Sequence, residues 1–249
     1  DLPDAGGFPY GNPNGAPVSK WVDGRPMVPD RNNYYGLVDR DFQRTRADIS
    51  TIDASYDLGE GDRAPYLEFY LGLLAPGMQS VLEIGCGTGK NTVWLLTKAA
   101  TVTAVDLSEE MLAKAKEKIS SPNVTFVQAD ITKPWLFATQ QYDLVGFSLV
   151  LEHIEELQPV FAKVAAVLKP GGYLYISELH PFKQYNGSKA RFDTAEGTQV
   201  VTCFNHHITD FTNAAKANGF NLVSMNEYFD EDDRGTIPRL LTLLFRKKG

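Results

Sequence analysis

From residue 80 onward the sequence alternates between short apolar runs and amphipathic stretches, and this alternation limits the folds open to the chain. The apolar runs predict strands, and the amphipathic stretches between them predict helices. Alternation at this spacing predicts an α/β fold with a doubly wound, mostly parallel sheet and helices on both faces. The predicted strands are 80–85, 101–106, 124–128, 143–148, 173–178, 221–228 and 240–246, and the predicted helices are 90–99, 108–119, 155–168 and 208–218, with a turn at 170–172.

Composition narrows the range of partners. The 249 residues carry 24 basic and 31 acidic side chains, for a net charge of −7, which argues against nucleic acid as the main partner. No apolar run approaches the roughly 20 residues of a membrane span, so no membrane partner is expected. The two cysteines, Cys86 and Cys203, are too few for a disulfide framework, which favours a reducing, cytoplasmic compartment.

The first 61 residues differ in character from the rest. Residues 1–30 hold six prolines and five glycines, which exclude a long helix, beside aromatic side chains that a free linker does not need. We interpret residues 1–61 as an arm and lid segment, with a disordered tail as the alternative for residues 1–30. Residues 62–249 are expected to form one domain. Because the chain begins with Asp1 rather than Met, we expect it to be processed, trimmed or cut from a longer protein.

A glycine-rich turn follows the first predicted strand, in the order Glu83-Ile84-Gly85-Cys86-Gly87-Thr88-Gly89. Ligands of open parallel sheets bind beyond the carboxyl ends of the strands, so this turn is a candidate binding site. A phosphate-binding loop would need glycine at 84 and a hydroxyl residue at 91, where Ile84 and Asn91 stand. A dinucleotide fingerprint would need its third glycine at position 90, which is Lys90.

Further motifs follow in order along the chain. They are Val102-Thr103-Ala104-Val105-Asp106, Gln128-Ala129-Asp130-Ile131, Tyr142-Asp143-Leu144-Val145-Gly146-Phe147-Ser148 with Leu151-Glu152-His153-Ile154, and Leu168-Lys169-Pro170-Gly171-Gly172. With the glycine turn, these motifs make residues 56–180 resemble the class I S-adenosylmethionine-dependent methyltransferases, small-molecule branch. Nicotinamide dehydrogenases lack the motifs that this chain carries at residues 129–130 and 169–172, which argues against that class of enzyme. The resemblance implies seven strands with the last antiparallel, S-adenosylmethionine as cofactor and S-adenosylhomocysteine (SAH) as product.

The resemblance also implies which residues hold the cofactor. The glycine turn would lie under the methionine and ribose, Asp106 would accept both ribose hydroxyls, and Asp130 would accept from the adenine amino group. The alternative role for Asp106 is helix capping. Leu107 and Met111 would form the wall of the adenine pocket, and their alternative role is simple core packing. The implied cofactor-binding residues are Tyr56, Glu83, Gly85, Cys86, Gly87, Gly89, Asp106, Leu107, Met111, Asp130, Ile131 and Ser148.

Catalytic and acceptor residues are predicted after the fourth and fifth strands. Histidine is the natural base near neutral pH, and His153 and His206 are the catalytic candidates, with packing or capping as the alternative. The insert at 179–207 is aromatic and basic, which suits an anionic or aromatic acceptor. No metal is expected. The predicted substrate-binding residues are Tyr34, His180, Lys183, Tyr185, Arg191 and His207.

Together these features predict a methyltransferase that acts on O or N of a small molecule without metal, as a monomer or homodimer. Two alternatives remain open: a protein side-chain methyltransferase, and a non-catalytic member that binds the cofactor. We expect His153, Tyr185, Arg191 and His206 to line the space beside the cofactor sulfur.

Overall fold

The computed structural model describes residues 20–22, 25–27, 72, 79–187, 191–194, 197–200, 202–229 and 234–249. Its main unit contains a seven-stranded sheet, whose strands we number in chain order. They are β1 (Ser80–Ile84), β2 (Thr101–Asp106), β3 (Val124–Gln128), β4 (Tyr142–Ser148), β5 (Leu168–Leu179), β6 (Phe220–Tyr228) and β7 (Leu240–Lys247). The helices are α1 (Lys90–Leu95), α2 (Glu109–Lys118), α3 (Leu157–Val167), α4 (Pro181–Tyr185) and α5 (Ile208–Ala217), with a 3-10 turn at Leu151–His153.

The strands lie in the order β6-β7-β5-β4-β1-β2-β3. Neighbouring strands from β5 to β3 pair in parallel, whereas β7 pairs antiparallel with both β5 and β6. The predicted fold class, including the antiparallel last strand, is therefore confirmed. Outside this unit, the described segments form two short antiparallel hairpins, Lys20–Val22 with Arg25–Met27 and Arg191–Thr194 with Gly197–Val200.

Both faces of the sheet are covered, as a doubly wound sheet requires. Val81 and Leu82 are adjacent in β1 and both fully buried, yet they belong to separate apolar clusters. The cluster around Leu82 includes the buried faces of α3 and α5, and the cluster around Val81 includes those of α1 and α2. Strands buried on both sides read as continuous apolar runs, which explains why the sequence pattern located them.

One predicted element is wrong. Residues 170–172 do not form a turn before the fifth strand, because β5 already begins at Leu168. Tyr142 pairs with Leu168 and Leu144 pairs with Tyr173, so the extra residues are accommodated as a bulge within the ladder. Gly171 has φ 75°, a conformation that favours glycine. The helix α4 lies in the insert, where no helix is predicted. The sequence also predicts a helix that begins at Asp62 and is ended by Pro76 and Gly77; of it the structure describes only Gly72, which is helical.

Candidate active site

The carboxyl ends of four parallel strands gather the predicted site residues at one edge of the sheet. β1 ends at Ile84, β2 at Asp106 and β4 at Ser148, and the strands β5, β4, β1 and β2 follow one another across the sheet in that order. The glycine turn, Asp106 and Ser148 therefore leave the sheet on the same side, where ligands of open α/β sheets bind.

The glycine turn is built from backbone that favours glycine. Gly85, Gly87 and Gly89 have φ values of 73°, 53° and 81°. The amides of Gly85 and Cys86 both donate to the carbonyl of Val105, at 2.8 and 3.0 Å, which fastens the turn to β2. A Cβ atom on Gly87 would meet no atom within 4 Å, whereas one on Gly85 would overlap Val150. The turn is thus packed against protein at one glycine and open at another.

Asp106 joins the turn to the start of α2. Its Oδ2 accepts from the Gly87 amide and its Oδ1 accepts from the Ser108 amide, both at 2.8 Å. The Ser108 hydroxyl in turn accepts from the Met111 amide at 3.2 Å and caps the helix. Each carboxylate oxygen has two acceptor positions, so Asp106 can brace the turn and still accept from a diol.

Glu83 lies beneath the turn and is completely buried. Burial raises its pKa to about 8, Thr92 lowers it through a hydrogen bond, and the charge of Asp106 raises it. The Thr92 hydroxyl donates to Glu83 Oε2 at 2.6 Å and so links β1 to α1. Thr92 was not singled out from the sequence, because its position in a helix gives no sign of a buried carboxyl partner.

The residues predicted for the adenine side follow β2 and β3. Leu107 is 68% exposed, Met111 is half-buried, and Ile131 is buried. Asp130 Oδ1 accepts from the Thr132 hydroxyl at 2.6 Å and the Thr132 amide at 2.8 Å, and these bonds lower the pKa of Asp130. An ionised carboxylate is an acceptor only, which is what an adenine amino group requires.

The two catalytic candidates differ in their surroundings. His153 Nδ1 lies 3.1 Å from the carbonyl of Thr202, and its side chain is 34% exposed. Because a carbonyl only accepts, that nitrogen carries the ring proton and Nε2 is the basic nitrogen of the neutral ring. His206 is buried, donates from Nε2 to the carbonyl of Ile154 at 2.7 Å, and meets the Phe211 ring edge-on.

The insert residues divide into buried and exposed ones. His180 is completely buried, accepts from the Phe182 amide at Nδ1 and donates from Nε2 to Glu227 at 3.1 Å. A substrate contact by His180 would therefore need one of these bonds to break. Lys183 is also buried, whereas Tyr185 is 48% exposed and its hydroxyl donates to His207 Nδ1 at 2.6 Å.

Three predicted residues lie beyond the side chains that the structure describes. Tyr34 and Tyr56 are outside the described residues, and Arg191 is described only as the first residue of a hairpin strand. Among the described residues, no group of three or more His, Cys, Asp or Glu side chains could hold a metal ion. Within the same residues, no helix is long and apolar enough to cross a membrane.

Residues 82–176, which contain the turn, Asp106 and the bulged start of β5, match the protein family described as a methyltransferase domain. An uncharacterized methyltransferase of Synechocystis is 35% identical over 51% of this chain and 59% of its own length. A ubiquinone biosynthesis O-methyltransferase of Coxiella burnetii is 31% identical over 58% of this chain and 64% of its own. Residues 82–176 therefore form a methyltransferase domain, and its motifs are those of the class I S-adenosylmethionine-dependent enzymes. The family and its cofactor class are those that the sequence motifs predict.

Solved structures place the methyltransferase domain in the same fold. A methyltransferase from Clostridium acetobutylicum is 17% identical, with a TM-score of 0.62 over 86% of this chain and all of that one. The DhpI–SAH complex is 25% identical, with a TM-score of 0.57 over 86% of this chain and 98% of that one. By sequence, the match covers only 36% to 64% of the length of the curated relatives.

Proposed function

We propose that this chain transfers a methyl group from S-adenosylmethionine to oxygen or nitrogen of a small acceptor, without a metal ion. The observation that carries the proposal is the pairing of Asp106 with Gly87 at the open part of the glycine turn. This pairing sets a two-oxygen acceptor beside backbone that a ligand can approach closely. The DhpI complex with SAH, which shares the fold at 25% identity, supports this choice of cofactor.

The described residues fit this cofactor. We assign Asp106 to the ribose hydroxyls, Asp130 to the adenine amino group, and the exposed Leu107 with Met111 and Ile131 to the adenine faces. Ser148 and the residues of the turn, Glu83 to Gly89, would face the methionine portion, and Tyr56 would cover it. Glu83 braces the turn through Thr92 in the structure, and it remains a candidate for the cofactor amino group.

Bound S-adenosylmethionine would supply a methyl group already activated on a sulfonium, so the chain has mainly to orient the acceptor and exclude water. A base is needed only when the acceptor must lose a proton. We assign that role to His153 in preference to His206. His153 leaves Nε2 unprotonated and is partly exposed, whereas His206 is buried against Phe211.

The acceptor is proposed to lie against the exposed side of α4. Phe182 and Tyr185 are 51% and 48% exposed, and their rings meet edge-on with centroids 6.1 Å apart. His207 extends this surface with its ring 5.6 Å from that of Tyr185. Aromatic faces beside a tyrosine–histidine pair suit a planar acceptor that carries a hydroxyl or carboxyl group. The named O-methyltransferases among the relatives support oxygen as the accepting atom.

The test is methyl transfer from labelled S-adenosylmethionine by the full chain. The acceptor panel contains phenols, carboxylic acids and amines, with a bacterial protein extract in a separate arm. We expect label on a small molecule, unchanged by EDTA, and loss of transfer in His153→Gln with SAH affinity retained. Label on protein alone would indicate a side-chain methyltransferase. SAH binding without transfer in either arm would indicate a non-catalytic member.

The remaining assignments concern the segments around the core and are also proposals. Residues 1–61 would act as a lid, residues 62–249 as the methyltransferase domain, and residues 179–207, with Tyr34, Lys183 and Arg191, as the acceptor side. Removal of residues 1–61, which include Tyr56, is expected to weaken SAH binding without eliminating it and to abolish transfer. We propose a cytoplasmic monomer or homodimer, which size-exclusion chromatography with light scattering would test.

A further inference from the structure

Glu178, near the end of β5, has a buried carboxyl group that no cofactor or acceptor contact above explains. It is 2% exposed, and its Oε1 accepts from the amides of Val150 and Leu151 at 3.0 and 2.9 Å. The amide before them, of Leu149, donates to the carbonyl of Ser177 at 2.8 Å. Three successive amides after β4 are thus held by the last residues of β5.

These bonds hold the chain in an unusual conformation. Leu149 has φ 56°, and it is the one non-glycine residue with positive φ in the described part of the chain. A side chain in this left-handed region costs about 1–2 kcal/mol, so it persists only where the surroundings enforce it. The hydrogen bond of the Leu149 amide to Ser177 and those of the next two amides to Glu178 hold Leu149 in this conformation.

The conformation directs Val150 onto the glycine turn. Its Cγ2 atom occupies the place that a Cβ atom on Gly85 would take. Gly85 is the residue whose amide, with that of Cys86, donates to the Val105 carbonyl. Contacts therefore run from Glu178 on β5, through Val150 after β4, to the turn after β1, across three adjacent strands.

We propose that Glu178 is a positioning residue that sets the shape of the glycine turn through Val150, and thereby the affinity for the cofactor. The cofactor part rests on the function proposed above. Only Oε1 performs this task, since Oε2 is buried without a hydrogen-bond partner among the described residues. Burial and the neighbouring Glu152 charge raise the pKa of Glu178 to about 8, which leaves Oε1 as the accepting oxygen of a neutral acid near pH 7.

This account distinguishes two substitutions at one position. Glu178→Gln keeps an accepting oxygen where Oε1 lies, and Glu178→Leu removes it and leaves the Val150 and Leu151 amides without this partner. The control is Thr242→Val, on the neighbouring strand β7 and equally buried. Val150→Ala removes the side chain that transmits the effect.

The first measurement is amide hydrogen exchange without cofactor. In Glu178→Leu we expect at least about tenfold faster exchange in peptides that contain Gly85 and Cys86, with β7 peptides unchanged. Glu178→Gln and Thr242→Val should match the wild type. Unchanged exchange at the turn in Glu178→Leu, or equal acceleration in Glu178→Gln, would overturn the proposal. If Glu178→Leu does not fold, the prediction rests on Val150→Ala, which must itself accelerate exchange at the turn.

The second measurement is titration with SAH. We expect Glu178→Leu to weaken binding at least about tenfold and Glu178→Gln less than about threefold. In the Val150→Ala background the Leu substitution should have a smaller effect, because its transmitter is gone. Full additivity would overturn transmission through Val150. Failure of the wild type to bind SAH would refute the proposed function alone, since hydrogen exchange still tests the contact between Glu178 and the turn.

Discussion

Val150 places its Cγ2 methyl group against Gly85, in the space where any other residue would carry a Cβ atom. Gly87, two residues further along the same turn, has no atom within 4 Å of the corresponding position. The two glycines therefore serve different purposes. Gly85 permits close packing inside the protein, and Gly87 leaves room for a ligand.

This difference predicts opposite phenotypes for two alanine substitutions. Both positions have positive φ, so each substitution costs about 1–2 kcal/mol of backbone strain. Gly85→Ala must also displace Val150, so we expect it to lower the free energy of unfolding clearly more than Gly87→Ala does. Gly87→Ala should instead weaken SAH binding by at least about tenfold. Urea denaturation and calorimetric titration measure the two effects. Equal destabilisation by both variants would contradict the packing argument, and Val150→Ala should partly rescue Gly85→Ala only.

Three buried carboxyl groups predict how stability changes with pH. The pKa values of Glu83 and Glu178 are raised from 4.5 to about 8, and that of Glu152 is also raised, in each case chiefly by burial. A carboxyl group whose pKa is raised in the folded protein makes its full contribution to stability when the pH is below its pKa in the unfolded chain. That contribution is lost as the pH rises through its pKa in the folded protein.

We therefore expect the free energy of unfolding to fall between pH 6.5 and pH 8. Each carboxyl contributes up to about 1.4 kcal/mol per pH unit. Below pH 6.5 the trend is opposed by His180, whose pKa is lowered chiefly by burial. Urea denaturation across this range measures the slope, which should be shallower in Glu178→Gln. A slope equal to that of the wild type would show that Glu178 does not titrate there.

Much of the fold was predictable because its central strands are largely buried on both faces. The runs that begin at Ser80 and Thr101 are apolar and bounded by turn residues, and their ends agree with the structure within one residue. The bulge at Gly171 was misread as a turn, since a turn and a bulge both use glycine with positive φ. Only the pairing partners distinguish the two, and these come from a strand 26 residues earlier, as in the pair Tyr142 and Leu168.

The site was predictable where chemistry follows from position along the chain. The glycine turn and Asp106 stand at strand ends, which always meet at one edge of a parallel sheet. The roles of Thr92 and Glu178 depend instead on contacts across the fold, with Glu83 and with the amides after β4. An acidic residue at the end of the apolar run 173–178 was the available signal for Glu178.

The sequence predicts that His180 binds substrate, whereas its contacts in the fold indicate a structural role, and substitutions can distinguish the two. His180 is completely buried, caps α4 by accepting from the Phe182 amide, and bonds Glu227. We expect His180→Ala to lower the free energy of unfolding by about 1–3 kcal/mol through loss of the cap and of packing. His180→Asn, which can still cap, should lose less. If His180 binds substrate directly, both variants would instead keep their stability and raise the KM for the acceptor.

The central claim is that the turn and Asp106 form a cofactor site, and calorimetric titration of the full chain with SAH tests it most directly. We expect one site per chain with a dissociation constant in the micromolar range, about −8 kcal/mol. Asp106→Ala should bind at least about tenfold more weakly, and Glu110→Ala, an exposed carboxylate on α2, should match the wild type. No binding by the wild type at about 1 mM SAH, or equal affinity in Asp106→Ala, would contradict the account.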